Sequence, residues 1–331
     1  MSNEILDALR RAELIGARDT PAVTALSGGV SADVFKVELA TQTICVKRPV
    51  ERLRVAAEWR APVARAESEV AWLEFAASVE PDCVPRVLFE DIARHLFAME
   101  YLPPEIYPGW KAQLLQGVAD ATFAGQVGAR LARLHEASAG RADVEAQFAC
   151  QKQFFALRLE PYLLHTAKAH PRHAARIETL AQGIADARIA LMQGDISPKN
   201  ILCGPKGPVF LDAETACYGD PAFDLAFCLN HLLLKAAYRK QDARAYHRSF
   251  AALSEAYLAG VTWEEPQALD RRTASLLPAL FLARVDGKSP VEYLTDPRDK
   301  ELVRNAALGF LAQNDLTLAT LASQWQAILA A

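Results

Sequence analysis

The residues with the most chemistry to offer lie between 191 and 228, in LMQGDISPKNILCGPKGPVFLDAETACYGDPAFDLAFC. Asp195 and Asn200 are separated by four residues in a loop that also holds Gly194 and Pro198. A short strand then leads to Asp212, and Glu214 follows two positions on. Asn200, Asp212 and Glu214 are hard oxygen donors of the kind that suit Mg²⁺. Alternate strand positions normally face opposite ways, but at a strand end, where the chain turns, both carboxylates can reach magnesium. Phosphoryl transfer is the chemistry such a set serves. It leaves the protein little covalent work, so the protein must position a hydroxyl in line and neutralise charge on phosphates. The plainer account is that Asp195 and Asn200 cap a loop and Asp212 is a strand-end turn residue.

These groups need elements to hold them over a cleft. Residues 33–39 (DVFKVEL) alternate, with Phe35, Val37 and Leu39 on one face. Residues 43–47 (TICVK) follow a Thr41-Gln42 turn, with Ile44 and Val46 on one face and Cys45 and Lys47 on the other. That is a hairpin pattern and predicts an antiparallel sheet. A helix is expected over 63–79, with Val70, Leu73 and Ala77 on one stripe and Pro81 ending it, then strands over 86–90 and 95–101. LPPEIYPG reads as a connection between lobes. Beyond it, helices are expected over 121–137, 150–165 and 174–190, short strands over 200–203 and 208–212, and helix again through the last hundred residues. The expected fold class is α+β: a small antiparallel-sheet N-lobe over 1–102 and a larger, mostly helical C-lobe over 103–331, with the active site in the cleft between them.

Composition narrows the partners. At roughly 150 residues per domain, 331 residues allow two lobes with real cores. A net charge of −4 argues against a broad nucleic-acid surface. No apolar stretch is long enough to cross a bilayer, and the charged N-terminus has no signal-peptide core. Six scattered cysteines without a CxxC pair predict reduced thiols and a cytoplasmic protein rather than a disulfide framework or zinc site.

The 191–228 segment resembles the aminoglycoside phosphotransferase and choline kinase family, whose loop reads HGDxxxxN and whose second motif is a strand-end Asp followed by a GDP…FD element. QGDISPKN matches the first and LDAETACYGDPAFD the second. The resemblance implies a protein kinase-like fold. It also implies that Asp195 accepts the proton of the attacking hydroxyl, that Asn200 binds a metal, and that Asp212 binds the metal bridging the phosphates. The family His is Gln193 here, a side chain that also donates and accepts.

A kinase reading requires a nucleotide half: a loop over the phosphates, a strand Lys and a helix carboxylate. The loop candidate is LSGGVSADVF, in which Ser27, Gly28 and Gly29 bring N–H and hydroxyl donors to phosphate oxygens. Lys47 is the strand lysine. Glu69 is preferred to Glu67 as its partner because it shares a helical stripe with Leu73 and so points toward the sheet. Met99, Glu100 and Tyr101 form the expected hinge against which adenine packs.

Trp59, Arg65-Ala66, Glu69 and Val84-Pro85-Arg86-Val87 fall at intervals that resemble 5-methylthioribose kinases, as do Asp212-Ala213-Glu214, Tyr218-Gly219 and Phe223-Asp224. The chain departs from that subfamily in its length and in keeping Asn200. Asp224 is expected to cap the next helix or to tie the catalytic loop. Arg284, Asp286 and Lys288 are candidate substrate contacts. The expectation is therefore an ATP- and Mg²⁺-dependent kinase, monomer or homodimer, phosphorylating a hydroxyl of a methylthioribose-like sugar. An aminoglycoside or amino alcohol is the alternative acceptor, and a nucleotide-binding pseudokinase the alternative of another class. The absence of an HRD, DFG and APE set disfavours a protein substrate.

Overall fold

The computed structural model describes residues 2–26, 31–54 and 61–330. A five-stranded antiparallel sheet of order β1-β2-β3-β5-β4 comprises β1 (Ala22–Leu26), β2 (Ala32–Glu38), β3 (Thr43–Pro49), β4 (Val87–Asp91) and β5 (Leu96–Glu100). The expected hairpin is β2–β3, in a register that pairs Val34 with Lys47 and Phe35 with Val46. Its apolar alternation divides the sheet as predicted. Phe35, Val37, Ile44 and Val46 bury against Ile5, Ala8 and Leu9 of α1 (Ser2–Arg11). Cys45 and Lys47 face the other way, into a cavity. Strand β1 was not expected, because AVTAL is an edge strand that stays largely exposed and so carries no buried alternation.

Helix α2 (Arg65–Val79) ends before Pro81, as expected, and buries Glu69, Val70, Trp72 and Leu73. Trp72 meets Phe210 edge-on, 6.5 Å between ring centroids, so α2 locks the small sheet onto the larger helical part. That part holds α3 (Trp110–Leu115), α4 (Ala121–Ser138), α5 (Ala142–Gln147) and α6 (Gln151–Phe154). A π-helical turn (Phe155–Leu164), α7 (His165–Ala169) and α8 (Ala174–Asp186) follow. Beyond them come α9 (Ala222–Tyr238), α10 (Ala243–Ala259), α11 (Pro266–Asp286), α12 (Pro297–Leu311) and α13 (Leu318–Ala330). Helix α9 is buried on every side from Ala222 to Ala237 and forms the centre of the core. Gly128 lets α4 lie directly on α10, since a Cβ there would sit 2.1 Å from the Leu253 carbonyl oxygen.

Two expectations change. The helix expected over 150–165 is not uniform: Pro161, with no N–H to give, lies inside the wider π turns. The helix expected to reach 190 stops at Asp186, because Ala187 is extended. The chain then enters β6 (Ala190–Met192), which pairs antiparallel with β9 (Cys217–Gly219). Three-residue strands are too short to carry a readable period. The expected pair over 200–212 is the hairpin β7 (Ile201–Gly204) and β8 (Gly207–Phe210).

Candidate active site

Three small elements hold the chemical residues. Strand β6 feeds the loop Gln193–Asn200, the β7–β8 hairpin leaves from Asn200 and returns at Leu211, and the turn through Asp212 and Glu214 leads back to β9. The Leu211 N–H donates to the Asn200 carbonyl at 2.9 Å, which closes the base of the hairpin and sets Asn200 beside Asp212. Asp212 is left-handed, with φ 65°. Such a conformation is unusual for a residue with a Cβ and costs on the order of 1 kcal/mol. It is pinned by Gln193, whose Nε2 donates to the carbonyls of Leu211 and Asp212 at 2.8 and 3.1 Å. The Gln193 Oε1 accepts from the Asp195 N–H at 2.6 Å. The residue standing where the family has His thus uses both its donor and its acceptor to hold the loop.

Asp224 ties the same loop from below. Its two oxygens accept the N–H groups of Gln193 and Gly194 at 2.7 and 2.8 Å. At the start of α9 it is Asp220, just before the cap residue Pro221, whose carboxylate accepts from the Ala222 N–H at 3.0 Å; Arg272 grips that carboxylate at 2.6 Å. Gly194 has φ 81°, and a Cβ there would fall 2.5 Å from the Thr215 carbonyl oxygen. Only glycine fits.

Asp195 is 3% exposed. Its Oδ2 receives Arg158 Nη2 at 3.0 Å, Lys199 Nζ at 3.0 Å and Asn200 Nδ2 at 2.9 Å. Arg158 also donates from Nε to the Gly194 carbonyl at 2.6 Å. Neither Arg158 nor Lys199 was expected. Arg158 comes from the π turn, far away in sequence and without a local signal. Lys199 was legible in principle, because it sits four residues after Asp195 in the motif itself.

From the sheet, Lys47 Nζ meets Glu69 at 2.7 Å and also contacts Asp212 Oδ1. Burial alone would raise the Asp212 carboxyl, but Lys47, Lys199 and Arg158 outweigh it and hold the group well below the usual carboxylate range. Burial pushes Glu69 up to about 7, with Lys47 opposing. Lys47 stays charged: burial lowers it, and Asp212 and Glu69 more than offset that. Glu214 is nearly buried, and its Oε2 accepts from Arg65 Nε at 2.9 Å. Arg65, fully buried, spends its other nitrogens on the carbonyls of Ala61, Pro62, Ser31 and Val50.

A cavity of 890 Å³ runs between the sheet and the helices, and Lys47, Glu69, Asp195, Asn200 and Asp212 all line it. Met99, Glu100, Tyr101 and Arg284 line it too. The Glu100 N–H is already donated to the Arg86 carbonyl at 2.9 Å. Glu214 is not among the lining residues, nor are Asp286 and Lys288. Asp286 is held by Arg304 at 2.6 Å and His170 at 2.9 Å. Lys288 Nζ lies 3.7 Å from Glu160. Ser27, Gly28 and Gly29, with Trp59, fall outside the described residues.

No curated protein sequence matches this chain. Its fold is similar to that of a choline/ethanolamine kinase family protein from Mesorhizobium loti, at 15% identity and TM-score 0.50, covering 99% of this chain and 100% of that one. Plasmodium vivax ethanolamine kinase is similar at 11% identity and TM-score 0.53, covering 97% and 85%. The ADP-bound aminoglycoside phosphotransferase APH(2'')-Ib is similar at 15% identity and TM-score 0.50, covering 96% and 100%. At these identities the likeness is one of fold, and it is the two-lobed kinase-like fold. The sequence model of the phosphotransferase enzyme family matches residues 22–259, well over half of the chain. The chain therefore belongs to that family, as a phosphotransferase with an alcohol group as acceptor.

Proposed function

We propose that this phosphotransferase is an ATP-dependent small-molecule kinase that moves the γ-phosphoryl group to a substrate hydroxyl, with residues 1–102 serving the nucleotide and 103–331 the chemistry and substrate. The observation that carries the reading is the meeting of Lys47, Glu69 and Asp212 in one cavity with Asp195 and Asn200. Lys47, fixed by Glu69, would hold the α- and β-phosphates, and Ser27, Gly28 and Gly29 would donate to phosphate oxygens. Adenine would pack against Met99–Tyr101. Since the Glu100 N–H is engaged, the base would be read by neighbouring backbone groups. ADP in a similarly folded phosphotransferase supports the nucleotide assignment.

The donor set fits Mg²⁺. Asp212 is ionised and Asn200 adds an amide oxygen. Phosphate oxygens and water would complete the coordination of an ion held by so few protein ligands. When bound, it would neutralise phosphate charge. Glu214 has one oxygen committed to Arg65 and would act as an outer partner of that site. The closest approaches of Arg158, Lys199 and Asn200 to Asp195 all fall on Oδ2, and among the described residues no hydrogen bond reaches Oδ1. Oδ1 is the atom that would take the hydroxyl proton, while Lys199 and Arg158 hold the carboxylate in place.

The acceptor we favour is sugar-like, as in the methylthioribose comparison, over an aminoglycoside or amino alcohol. The test is ATP consumption over sugars and polyols, with their acid and phosphate derivatives, and over amino alcohols and aminoglycosides. Turnover confined to the sugar and polyol group is expected. ATP binding without turnover on any acceptor would favour a pseudokinase.

A further inference from the structure

The half of the cavity away from Lys47 is walled by aromatic rings and cations. Lys235 is 1% exposed, and its Nζ sits 4.6 Å from the centroid of the Tyr293 ring. Arg284 lies over the Tyr162 ring at 5.5 Å and donates to the Tyr162 hydroxyl at 3.3 Å and to Ser289. Among the described residues neither cation has a carboxylate partner. The acid on this wall, Glu292, is already paired with Lys111 at 2.5 Å. Lys111, Lys235 and Arg284 therefore face one carboxylate.

Polar atoms here also lack partners. His231 and Tyr293 are 7% and 9% exposed and line the cavity; among the described residues His231 Nδ1, the Tyr293 hydroxyl and Arg284 Nε make no hydrogen bond. A buried ammonium without a counter-charge is costly, and so are orphaned polar atoms. Burial pushes Lys235 down to about 7, with Lys111 and Arg284 adding to the effect and Glu292 opposing it. These are the properties of a wall that lacks an anion.

The wall is wired to the reaction centre. The Tyr162 ring that carries Arg284 also receives Arg158 at 5.9 Å, and Arg158 holds Asp195 at 3.0 Å. Phe227, His231 and Lys235 recur every four residues on the cavity face of α9, the helix whose Asp224 ties the catalytic loop.

We propose that the acceptor alcohol carries an anionic group, a carboxylate or a phosphate ester, which Lys235 and Arg284 bind while the hydroxyl faces Asp195. This rests on the kinase reading and specifies its acceptor. A polycationic aminoglycoside or a choline-like ammonium would meet like charge on this wall.

The test uses the full chain with Mg²⁺ and the non-hydrolysable ATP analogue AMP-PNP. Glycerate and glycerol 3-phosphate are the anionic probes, with glycerol and choline as neutral and cationic controls at equal ionic strength. Millimolar glycerate or glycerol 3-phosphate is expected to raise the melting temperature of the nucleotide complex, and glycerol and choline are not. The larger of the two anionic shifts tells carboxylate from phosphate ester. Lys235→Met and Arg284→Gln should each abolish the shift while AMP-PNP still binds. If Lys235→Met fails to fold, Arg284→Gln decides. Absence of AMP-PNP binding overturns the kinase reading. AMP-PNP binding with no anion-specific shift, or with a shift that survives in the variants that fold, overturns this inference alone.

Discussion

Asp195 is the residue we assign to the transfer step, and its contacts explain what the sequence could and could not reveal about the site. Asp195, Asn200 and Asp212 were legible because loop and strand-end motifs are local. Lys47 was legible because strand alternation puts it opposite the packed face of the hairpin. Glu69 followed from the stripe it shares with Leu73. Arg158 was not legible: it reaches Asp195 from a helical turn 37 positions earlier, and nothing in FALRLEPYLL announces a partner that only folding brings near. We assign it as a positioning residue. Arg158→Met should lower kcat by about 100-fold, the order expected when a reacting group is misplaced by an ångström. Its KM for ATP should barely move. Steady-state kinetics separates the two, and an equal loss in both would place Arg158 on the nucleotide instead.

At the scale of elements, the loop carrying Asp195 is defined by what ties it down. Gln193 and Asp224 grip its backbone from above and below, and Gly194 makes the turn that lets both reach it. Gly194→Ala should therefore destabilise the fold by about 2–4 kcal/mol, from the left-handed backbone and the collision with Thr215. Thermal unfolding would register this as a drop of several degrees, and an unchanged melting temperature would mean the loop is looser than its hydrogen bonds imply. The same scale shows where periodicity fails. The hairpin β2–β3 and helices α2 and α4 are long enough to display their period, and they form close to where it predicts. Strands β6 and β9 have three residues each and show none, although they carry the loops on which the site is built. The π turn was hidden for another reason: Pro161 announces an irregularity but not its kind.

At the scale of the whole molecule, the two-lobed architecture was legible from the switch between strand and helix patterns and from LPPEIYPG between them. Of the cation-rich far wall of the cleft only Arg284 was anticipated, because Lys111, Lys235, Arg284 and Glu292 come from separate parts of the helical lobe. Lys235 gives this wall a stability signature. Its value falls from an ordinary 10.5 to about 7 on burial, so the unfolded chain binds more protons between those values and stability rises with pH across that window. The penalty is complete below pH 7 and fades as pH approaches 10.5. Lys235→Met should accordingly unfold at a higher temperature than the natural protein at pH 6, with the gain shrinking by pH 9. A gain independent of pH would point to packing rather than charge.

The central claim is that Asp195 serves the transfer step and the Lys47–Glu69–Asp212 group serves the nucleotide. The most direct measurement compares the natural protein with Asp195→Ala for Mg-ATP affinity by calorimetry and for phosphorylated product by mass spectrometry, on an acceptor that the natural protein turns over. Unchanged affinity with product formation lost by at least about 1,000-fold is the predicted result. Product formed at the natural rate by Asp195→Ala would contradict it.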